Sequence, residues 1–273
     1  MRIDCLLHVH SSFSYDSKTD LADIARTARR HGIGCVLMSE HNNRLDSQQV
    51  TAFVARCAEL SDSSLLIVPG LELAFDANRV HLLAYGIRRF IDSTANSCTI
   101  RSLIDEVHEA GGLAVLAHPS HRQAVDRLTD DDLGRLDGIE VWNVKNGNRY
   151  VPMAADVLLL NRVRAAGGRS YAFAGLDWHH LNRFARFTLA LEVEALTEPA
   201  VLDALRHGRF VINGGYVTVK ATGEQRAIRV AAYRLVSSTL ARTRRIAYRW
   251  QSAIERRGLK LPKAVAAVGR RFF

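Results

Sequence analysis

Short apolar runs of strand length alternate along this chain with amphipathic segments of helical period. Residues 21–31, for example, can follow an Asp20 cap and end at Gly32, and the apolar run 33–38 comes directly after them. Continuous apolar runs are typical of strands that are covered on both faces, as in parallel α/β sheets and barrels. About seven such units favour a closed or nearly closed barrel over an open six-stranded sheet.

Imidazole and carboxylate side chains follow nearly every one of these apolar runs. His8 and His10 are two residues apart, so in a regular strand both imidazoles would lie on the same side. Alone, such a pair is more typical of a solvated strand end than of a metal site. Such side chains follow one apolar run after another, however. The carboxyl ends of parallel strands meet at one rim of a barrel, so a metal site is expected there. The other members of the set are Glu40, His41, Glu72, His81, His118, Glu140, Asp177 and His179.

The basic residues are concentrated near the C-terminus. Residues 220–273 hold 14 Lys and Arg against 2 Asp and Glu, a net charge of +12, whereas residues 1–219 have a net charge of −3. We therefore expect a barrel domain over residues 1–219 and a basic tail over residues 220–273. Apolar positions from Ile228 to Ile254 recur at spacings of three and four with arginines on the other face, which predicts a basic amphipathic helix.

Three partners suit this predicted helix. An anionic membrane surface would accept its apolar and basic faces together. Nucleic-acid phosphates would accept its arginines. Packing on the barrel or on a partner helix would leave a solvated basic rim, and the sequence leaves all three open.

The cellular compartment of the protein can be predicted from features that the sequence lacks. No basic and then apolar leader opens the chain, and no apolar run reaches the roughly 18 residues that span a bilayer. The cysteines have no Cys-x-x-Cys spacing, and Cys5 and Cys35 lie in apolar runs, so buried free thiols are expected. These features predict a cytoplasmic protein, in which the tail is the segment that could associate with a membrane surface. Nothing in the sequence specifies an oligomer.

Taken in order, these motifs resemble those of the PHP superfamily, the polymerase and histidinol phosphatase group of metal-dependent phosphoesterases. They run in family order over about residues 1–215. The resemblance implies a distorted seven-stranded (β/α) TIM-like barrel with a trinuclear metal site. The matching segments are His8-Val9-His10, Ser39-Glu40-His41-Asn42, Pro69-Gly70-Leu71-Glu72, His81-Leu82-Leu83-Ala84-Tyr85-Gly86, Ala117-His118-Pro119, Glu140-Val141-Trp142-Asn143 and Gly175-Leu176-Asp177-Trp178-His179.

The resemblance also implies how the chain would bind two to three divalent metal ions. One metal would be bound by His8, His10, Glu72 and Asp177, a second by Asp16, His41 and His118, and a third by His81 and His179 with Glu72 bridging to the first. Asp16 stands where some members have histidine, which favours Mn or Fe over Zn. Glu40 stands where many members have aspartate. Glu40 and Glu140 are expected to hydrogen-bond the ligands rather than to bind metal.

Metal clusters of this kind can activate a bridging water as hydroxide and neutralise the charge that develops on a phosphoryl group. Glu72 and Asp177 would hold the metals that carry the hydroxide. A phosphate substrate also needs cationic or hydrogen-bonding contacts, and four residues that closely follow ligand segments are candidates. These are Arg44, Arg122, His180 and Arg183.

The expected function is hydrolysis of phosphate esters. The substrate would be a phosphorylated small molecule or, for a 3′–5′ exonuclease, a short oligonucleotide. Alternatives are a phosphotyrosine phosphatase of polysaccharide synthesis, a carbamate or amide hydrolase that uses the same hydroxide, and a non-catalytic PHP scaffold. A scaffold would ordinarily have a broken ligand set, whereas every ligand position here holds a competent residue.

Overall fold

The computed structural model describes residues 1–95, 97–121 and 124–256 of the chain. The strands are β1 (Arg2–Val9), β2 (Cys35–Met38), β3 (Glu40–His41), β4 (Leu66–Val68), β5 (Gly70–Phe75), β6 (Val80–Tyr85), β7 (Leu113–Leu116), β8 (Gly138–Asn143), β9 (Tyr171–Gly175), β10 (Thr188–Glu192), β11 (Phe210–Asn213) and β12 (Thr218–Lys220). The α-helices are α1 (Leu21–Arg30), α2 (Ser47–Leu60), α3 (Ile100–Glu109), α4 (Asp130–Arg135), α5 (Ala154–Ala165), α6 (Glu198–Arg206) and α7 (Ala227–Arg256).

These strands form two six-stranded sheets in a mixed α/β fold. The first sheet has the order β12-β11-β10-β1-β2-β4, and the second has the order β3-β5-β6-β7-β8-β9. The chain passes between them at two tight junctions, from β2 into β3 and from β4 into β5. At another edge the residues that follow β9 form hydrogen bonds with β1. The N–H of Trp178 donates to the His8 carbonyl (3.0 Å), and the carbonyl of Trp178 accepts from His10 N–H (3.0 Å). The sheets therefore adjoin along β1 and at the β2–β5 region.

Several strands run antiparallel, which the expected alternation of parallel strands and helices did not include. β6 is antiparallel to both β5 and β7, and β1 is antiparallel to β10. His81 is the second residue of β6, opposite Ala74 near the end of β5. Because β6 runs in the opposite direction, the beginning of this strand lies at the same edge as the ends of its neighbours. This reversal brings His81 to the edge where the other candidate ligands lie.

The predicted helix boundaries have local causes. Asp20 accepts a hydrogen bond from Ala22 N–H at the start of α1 (2.7 Å), and Gly32 follows the helix with a φ of +69°. Asp46 forms a capping box with Gln49 at the start of α2. Each cap satisfies backbone N–H groups that have no partner within the helix. The predicted start of α1 at Asp20 and its predicted end at Gly32 are confirmed.

Helix α7 packs on the body through its first third. Val230 and Tyr233 are buried there, and Asn148 donates a hydrogen bond to Ser237 Oγ (3.2 Å). No helix in the described part of the chain has both the length and the apolar character needed to cross a membrane. The last part of the predicted basic tail, residues 257–273, lies outside the described residues.

Candidate metal centre

Strand β1 presents His8 and His10 through a break in its extended backbone. His8 has a φ of +59°, and the pairing of β1 with β2 shifts register between Leu6 and Val9. The two imidazole rings nevertheless converge, with their centroids 5.2 Å apart. The expected convergence is therefore found, but its cause is a left-handed residue within the strand rather than the regular alternation of a strand.

Glu72, a buried residue of β5, lies at the centre of the cluster. Its Oε2 atom lies 3.3 Å from His8 Nε2, 3.4 Å from His10 Nε2 and 3.3 Å from His41 Nδ1. Its Oε1 atom lies 2.5 Å from His81 Nδ1 and 3.3 Å from His118 Nε2. One carboxylate thus faces five imidazoles, three through one oxygen and two through the other. Such an arrangement suits a carboxylate that bridges two cations.

Asp16, His41 and His179 form a second part of the cluster. Asp16 Oδ2 lies 2.9 Å from His179 Nε2 and 3.4 Å from His41 Nε2. The His10 ring stacks on His179 with a centroid separation of 4.1 Å. These four residues offer donor atoms that all lie within 4.8 Å of one another. Asp16 is the most accessible member, with 30% of its side chain exposed, so this part of the cluster faces solvent.

Two histidines have neighbours that differ from the partition of ligands implied by the resemblance. His118, expected beside Asp16 and His41, instead forms a group with His8 and Glu72. His179, expected beside His81, instead contacts Asp16. The reason is topological: His118 follows β7, the neighbour of the strand that carries His81, whereas the segment after β9 bonds to β1.

Asp177 forms the third contact region, beside β1. Its Oδ1 atom lies 3.9 Å from His8 Nε2, 3.8 Å from His10 Nε2 and 3.1 Å from Lys145 Nζ. Its Oδ2 atom accepts hydrogen bonds from Asn146 Nδ2 (2.5 Å) and Asn143 Nδ2 (3.3 Å). Lys145 Nζ also lies 3.1 Å from His179 Nε2. A cationic side chain therefore reaches the donor cluster from the loop that follows β8.

Outer hydrogen-bond partners orient three of the imidazoles. Glu140 accepts from His8 Nδ1–H (3.0 Å), and Asn78 Oδ1 accepts from His81 Nε2–H (2.7 Å). Ser14 Oγ accepts from His10 Nδ1–H (3.2 Å) while it donates to Glu40 (2.5 Å). When such a ring is neutral and its outer nitrogen carries the proton, the inner nitrogen presents a lone pair toward Glu72. Partners of this kind fix the tautomer of metal-binding histidines.

Gly175, the last residue of β9, makes one of these contacts possible. A Cβ atom at this position would lie 2.2 Å from Glu140 Oε1 and 2.5 Å from His8 Cβ. Any other residue would therefore separate Glu140 from His8 or displace β1. The glycine is required for close approach rather than for an unusual φ.

The donor set fits divalent cations. An inner imidazole lone pair and a carboxylate oxygen repel each other at 3.3 Å unless a cation lies between them. In addition, His10 Nε2 and His41 Nδ1 are buried without a hydrogen-bond partner, and burial of an unsatisfied polar atom is costly. Imidazole with carboxylate is a ligand combination that suits Zn, Mn and Fe. Among the described residues three groups of donors meet this description. The group of His8, His10 and Asp177 shares His8 with one of the other two groups and His10 with the other.

Electrostatics agree with a site built for positive charge. Burial by itself would raise the pKa of Glu72, but the neighbouring His81, His8 and His41 hold it well below the usual value. Burial opposes ionisation of Asp177 too, and His8 and Lys145 nevertheless lower its pKa. Burial lowers the pKa of His10, and the charge of His179 lowers it further. These shifts favour ionised carboxylates and a neutral His10, as metal binding requires. At His8, burial lowers the pKa, but Glu140 and Asp177 raise it well above its usual value, so a metal would displace a proton from that ring.

Three of the candidate ligands have a strained, left-handed backbone conformation. His8, His118 and Asp177 have φ values of +59°, +30° and +52°. Left-handed backbone is costly for residues other than glycine, and it is concentrated at functional sites. Among the described non-glycine residues, three of the six with positive φ lie where β1, β7 and β9 deliver their side chains to the cluster, and the other three, 76–78, lie between β5 and β6.

The candidate substrate-binding residues differ in how close they lie to the donor cluster. Arg44 lies over the ring of Tyr15 at 4.5 Å, and that ring lies 5.0 Å from His41, so Arg44 flanks the cluster. His180 and Arg183 are exposed, and no described contact joins their side chains to the donor cluster. Arg122 lies outside the described residues.

Lys145 and Asn146 were missed by the sequence analysis. They follow β8 directly, which is the position relative to a strand that identified the candidate ligands. They were not predicted because the candidate ligands were limited to imidazole and carboxylate side chains. Ser14 and Asn78 carried no comparable signal, because their roles depend on which way loop side chains turn.

Residues 7–133 match the family profile described as the PHP domain. The resemblance to the PHP superfamily is confirmed over this segment. The matched segment includes β1, β5 and β7, and it carries seven of the nine candidate ligands. No curated protein matches the sequence.

Solved structures resemble this PHP domain protein in fold. A two-domain protein from Bacteroides vulgatus ATCC 8482, containing a predicted PHP-like metal-dependent phosphoesterase, is 16% identical with a TM-score of 0.56. The similarity covers 78% of this chain and 64% of that protein. The lesion-specific endonuclease PfuEndoQ of Pyrococcus furiosus is 16% identical with a TM-score of 0.52, over 81% of this chain and 59% of its own. The chain thus spans less than two thirds of either protein. Family and donor cluster together support a metal-dependent hydrolase.

Proposed function

We propose that this PHP domain protein hydrolyses phosphate esters at a site that holds two to three divalent metal ions. The observation that carries the proposal is the central position of Glu72, whose two oxygens face five imidazoles at 2.5 to 3.4 Å. The proposal includes the closed distorted barrel and the division into residues 1–219 and a basic tail. The tight passages between the sheets and the bonding of the segment after β9 to β1 support the barrel.

The proposed ligands follow the contacts. One metal would be bound by His8, His10, Glu72 and Asp177. A second would be bound by Glu72, His81 and His118. A third would be bound by Asp16, His41 and His179. Glu140, and Glu40 through Ser14, would orient the ligands without binding metal.

When bound, divalent metals supply Lewis acidity and an activated water at neutral pH. The chain's own groups then have three tasks. Glu72 and Asp177 remain ionised and hold positive charge in a buried site. Glu140 and Ser14 fix the histidine tautomers. Lys145 and Arg44 approach from the open side, beside Asp16, and can bind the phosphoryl oxygens of the substrate.

The substrate class is proposed on charge. Residues 1–219 have a net charge of −3, which disfavours long nucleic acids on the body and favours a phosphorylated small molecule or a short oligonucleotide. A structure described as Endonuclease Q in complex with a 27-mer duplex resembles this chain with a TM-score of 0.50 at 16% identity, over 76% of this chain and 57% of that one. That likeness is one of fold, and the oligonucleotide stays a second candidate. The carbamate or amide hydrolase and the phosphotyrosine phosphatase are tested by the same substrate panel.

The test is metal content by elemental analysis, combined with turnover of a generic phosphomonoester, a phosphotyrosine peptide, a carbamate and a short oligonucleotide. The same measurements are made on His10→Ala and Asp177→Ala, with His207→Ala as the control because His207 is exposed at the end of α6. We expect about two to three metals per chain, and loss of metal and activity in the two site variants only. Less than one metal per chain after reconstitution, or activity indifferent to both substitutions, would refute the proposal.

A further inference from the structure

Helix α7 has two faces that differ in what they contact. Val230 and Tyr233 are buried against the body, and Ser237 accepts a hydrogen bond from Asn148. On a helix of 3.6 residues per turn these three positions fall within an arc of about 60°. They define the inner face of the helix.

The opposite face carries large apolar side chains in solvent. By the same helical geometry, Ile228, Leu235, Ile246 and Trp250 fall within another arc of about 60°, turned away from the inner face. Their exposed fractions are 77%, 68%, 55% and 67%. We refer to these four residues as the outer stripe. Isolated exposed apolar residues are ordinary, but a line of them along one helix face marks an interaction surface.

Arginine side chains border the outer stripe. Arg234, Arg242, Arg245 and Arg249 lie together along one side of it, and all four are exposed. Residues 227–254 contain no aspartate or glutamate. The acidic residue of α7 is Glu255, near the end of the helix, so no carboxylate of the helix lies among these arginines.

We propose that the outer stripe of α7 lies on an anionic lipid surface, with its axis parallel to the membrane plane. Apolar side chains flanked by arginines match the boundary between acyl chains and anionic headgroups, where Trp250 would also be favourable. The inner face stays packed on the body, so docking requires no unfolding of the helix. This inference does not depend on the proposed hydrolase function.

Two other occupants fit the observations less well. A nucleic acid would use the arginines but would leave the outer stripe in water, because phosphates offer no apolar contact. A second copy of the helix would cover the stripe but would bring two unneutralised rows of arginine together, and like charges disfavour such pairing. A lipid surface satisfies both features together.

The test uses the full chain and vesicles of phosphatidylcholine, with or without phosphatidylglycerol. In sedimentation assays the protein is expected to bind the anionic vesicles at least about 10-fold more tightly than the neutral ones, and less tightly as salt rises. The chain contains three tryptophans, of which Trp142 and Trp178 are buried. Quenching of fluorescence by brominated lipid would therefore report on Trp250.

Three variants separate the possible occupants. Leu235→Gln/Ile246→Gln/Trp250→Gln removes the stripe and keeps the charge, while Arg242→Gln/Arg245→Gln/Arg249→Gln does the reverse. Leu158→Gln/Leu181→Gln is the control, because both leucines are exposed elsewhere. We expect each α7 variant to lose vesicle binding at least about 10-fold and the control to retain it. Circular dichroism verifies folding, and all variants alter exposed positions.

Several results would overturn the proposal. One is failure of the wild type to bind anionic vesicles, and another is a stripe variant that binds them as well as the wild type. A third is tighter binding of an oligonucleotide that depends on the arginines but not on the stripe, which would identify nucleic acid as the occupant. A fourth is a wild-type dimer in light scattering that the stripe variant abolishes, which would identify a second copy.

Discussion

The cluster around Glu72 and the outer stripe of α7 depart from the usual distribution of side chains in opposite directions. The cluster buries carboxylates and imidazoles that would normally be in water. The stripe leaves in water large apolar side chains that would normally be buried. Either departure is costly without a partner, a cation in one case and an apolar surface in the other. A polar group inside or an apolar line outside is thus more informative about function than the many residues that follow the rule.

The two regions are also connected through the chain. Lys145 reaches Asp177 from the loop after β8, and Asn148 in the same loop donates to Ser237 on α7. Their energetic roles nevertheless differ: substitution inside the cluster should change metal binding and stability strongly, whereas substitution on the stripe should leave both nearly unchanged. The predictions below test that contrast.

The largest effect is expected for Glu72→Gln. Removing one partner of a buried charged cluster costs about 3–5 kcal/mol, which corresponds to a loss of metal affinity of about 10²- to 10⁴-fold. Calorimetric titration with Mn²⁺, together with turnover, measures this. Glu59→Gln is the control, because Glu59 is an exposed glutamate of α2. Unchanged Mn²⁺ affinity in Glu72→Gln would remove the central argument for the site.

The second prediction isolates the cost of burying a charge. Asp156 is buried beside Ser120, and burial, supplemented by the charge of Glu140, raises its pKa from 3.8 to about 7. The folded state therefore holds this proton more tightly than the unfolded state, and the associated stability is lost as pH rises from about 4 through 7. At about 1.4 kcal/mol per pKa unit the loss is about 4 kcal/mol.

Asp156→Asn should remove this dependence. In chelator, the unfolding free energy of the variant relative to the wild type should rise between pH 4 and 7 and level off above 7. Denaturant titrations at several pH values measure the difference. Asp130→Asn, at an exposed aspartate, should show no such trend. A constant difference across this pH range would contradict the prediction.

The third prediction concerns the support of His8. Glu140→Gln should lower metal affinity by about 10- to 100-fold, as removal of an outer partner of a metal ligand typically does. Gly175→Ala should have a similar effect, because its Cβ would meet Glu140 Oε1 and His8 Cβ. Gly134→Ala is the matched control, since a Cβ there meets nothing within 4 Å. Equal metal affinity of the two alanine variants would show that the Glu140–His8 contact is dispensable.

A smaller effect is expected at Lys145. Loss of a charge-assisted hydrogen bond to substrate costs about 1.5 kcal/mol or more, so Lys145→Gln should lower kcat/KM by about 10-fold, mainly through KM. Metal content should be retained, in contrast to the Glu72 variant. Lys220→Gln, at an exposed lysine of β12, serves as the control. If metal content falls with activity, Lys145 acts on the cluster rather than on substrate.

The smallest effect is expected on the outer stripe. Ile246→Gln should change the unfolding free energy by less than about 0.5 kcal/mol, as exposed substitutions usually do. Val230→Ala on the inner face should cost about 1–2 kcal/mol, because it removes two buried methyl groups. Thermal or denaturant unfolding without lipid compares them. A cost for Ile246→Gln that equals that of Val230→Ala would mean that the stripe is covered by the protein itself.

Sequence reasoning predicted the local features of the fold better than its pairing. Asp20, Gly32 and Asp46 act on the backbone of their immediate neighbours, so their effects can be read from the chain. The reversed direction of β6 and the pairing of β10 with β1 depend on contacts between distant segments. The strands β10 to β12 were not predicted, although large apolar residues recur at every second position from Phe187 to Val193.

At the candidate metal site, too, local features were predictable and contacts between distant segments were not. The convergence of His8, His10 and Glu72 was predictable because each follows or ends an apolar run. The residues that His118 and His179 contact within the cluster were not predictable, because these contacts depend on which strands are neighbours in space. The positive φ of His8 was equally hidden, since histidine has no strong preference for left-handed backbone.

That left-handed backbone at His8, His118 and Asp177 has a consequence for directed evolution. Each such position costs about 1–3 kcal/mol, a sizeable share of the 5–15 kcal/mol that stabilises a typical domain. Glycine would relieve the strain at each of them and remove a proposed ligand. A library selected for heat resistance alone should therefore accumulate glycine at these positions and yield more stable variants that have lost the proposed ligands, unless metal is supplied throughout the selection.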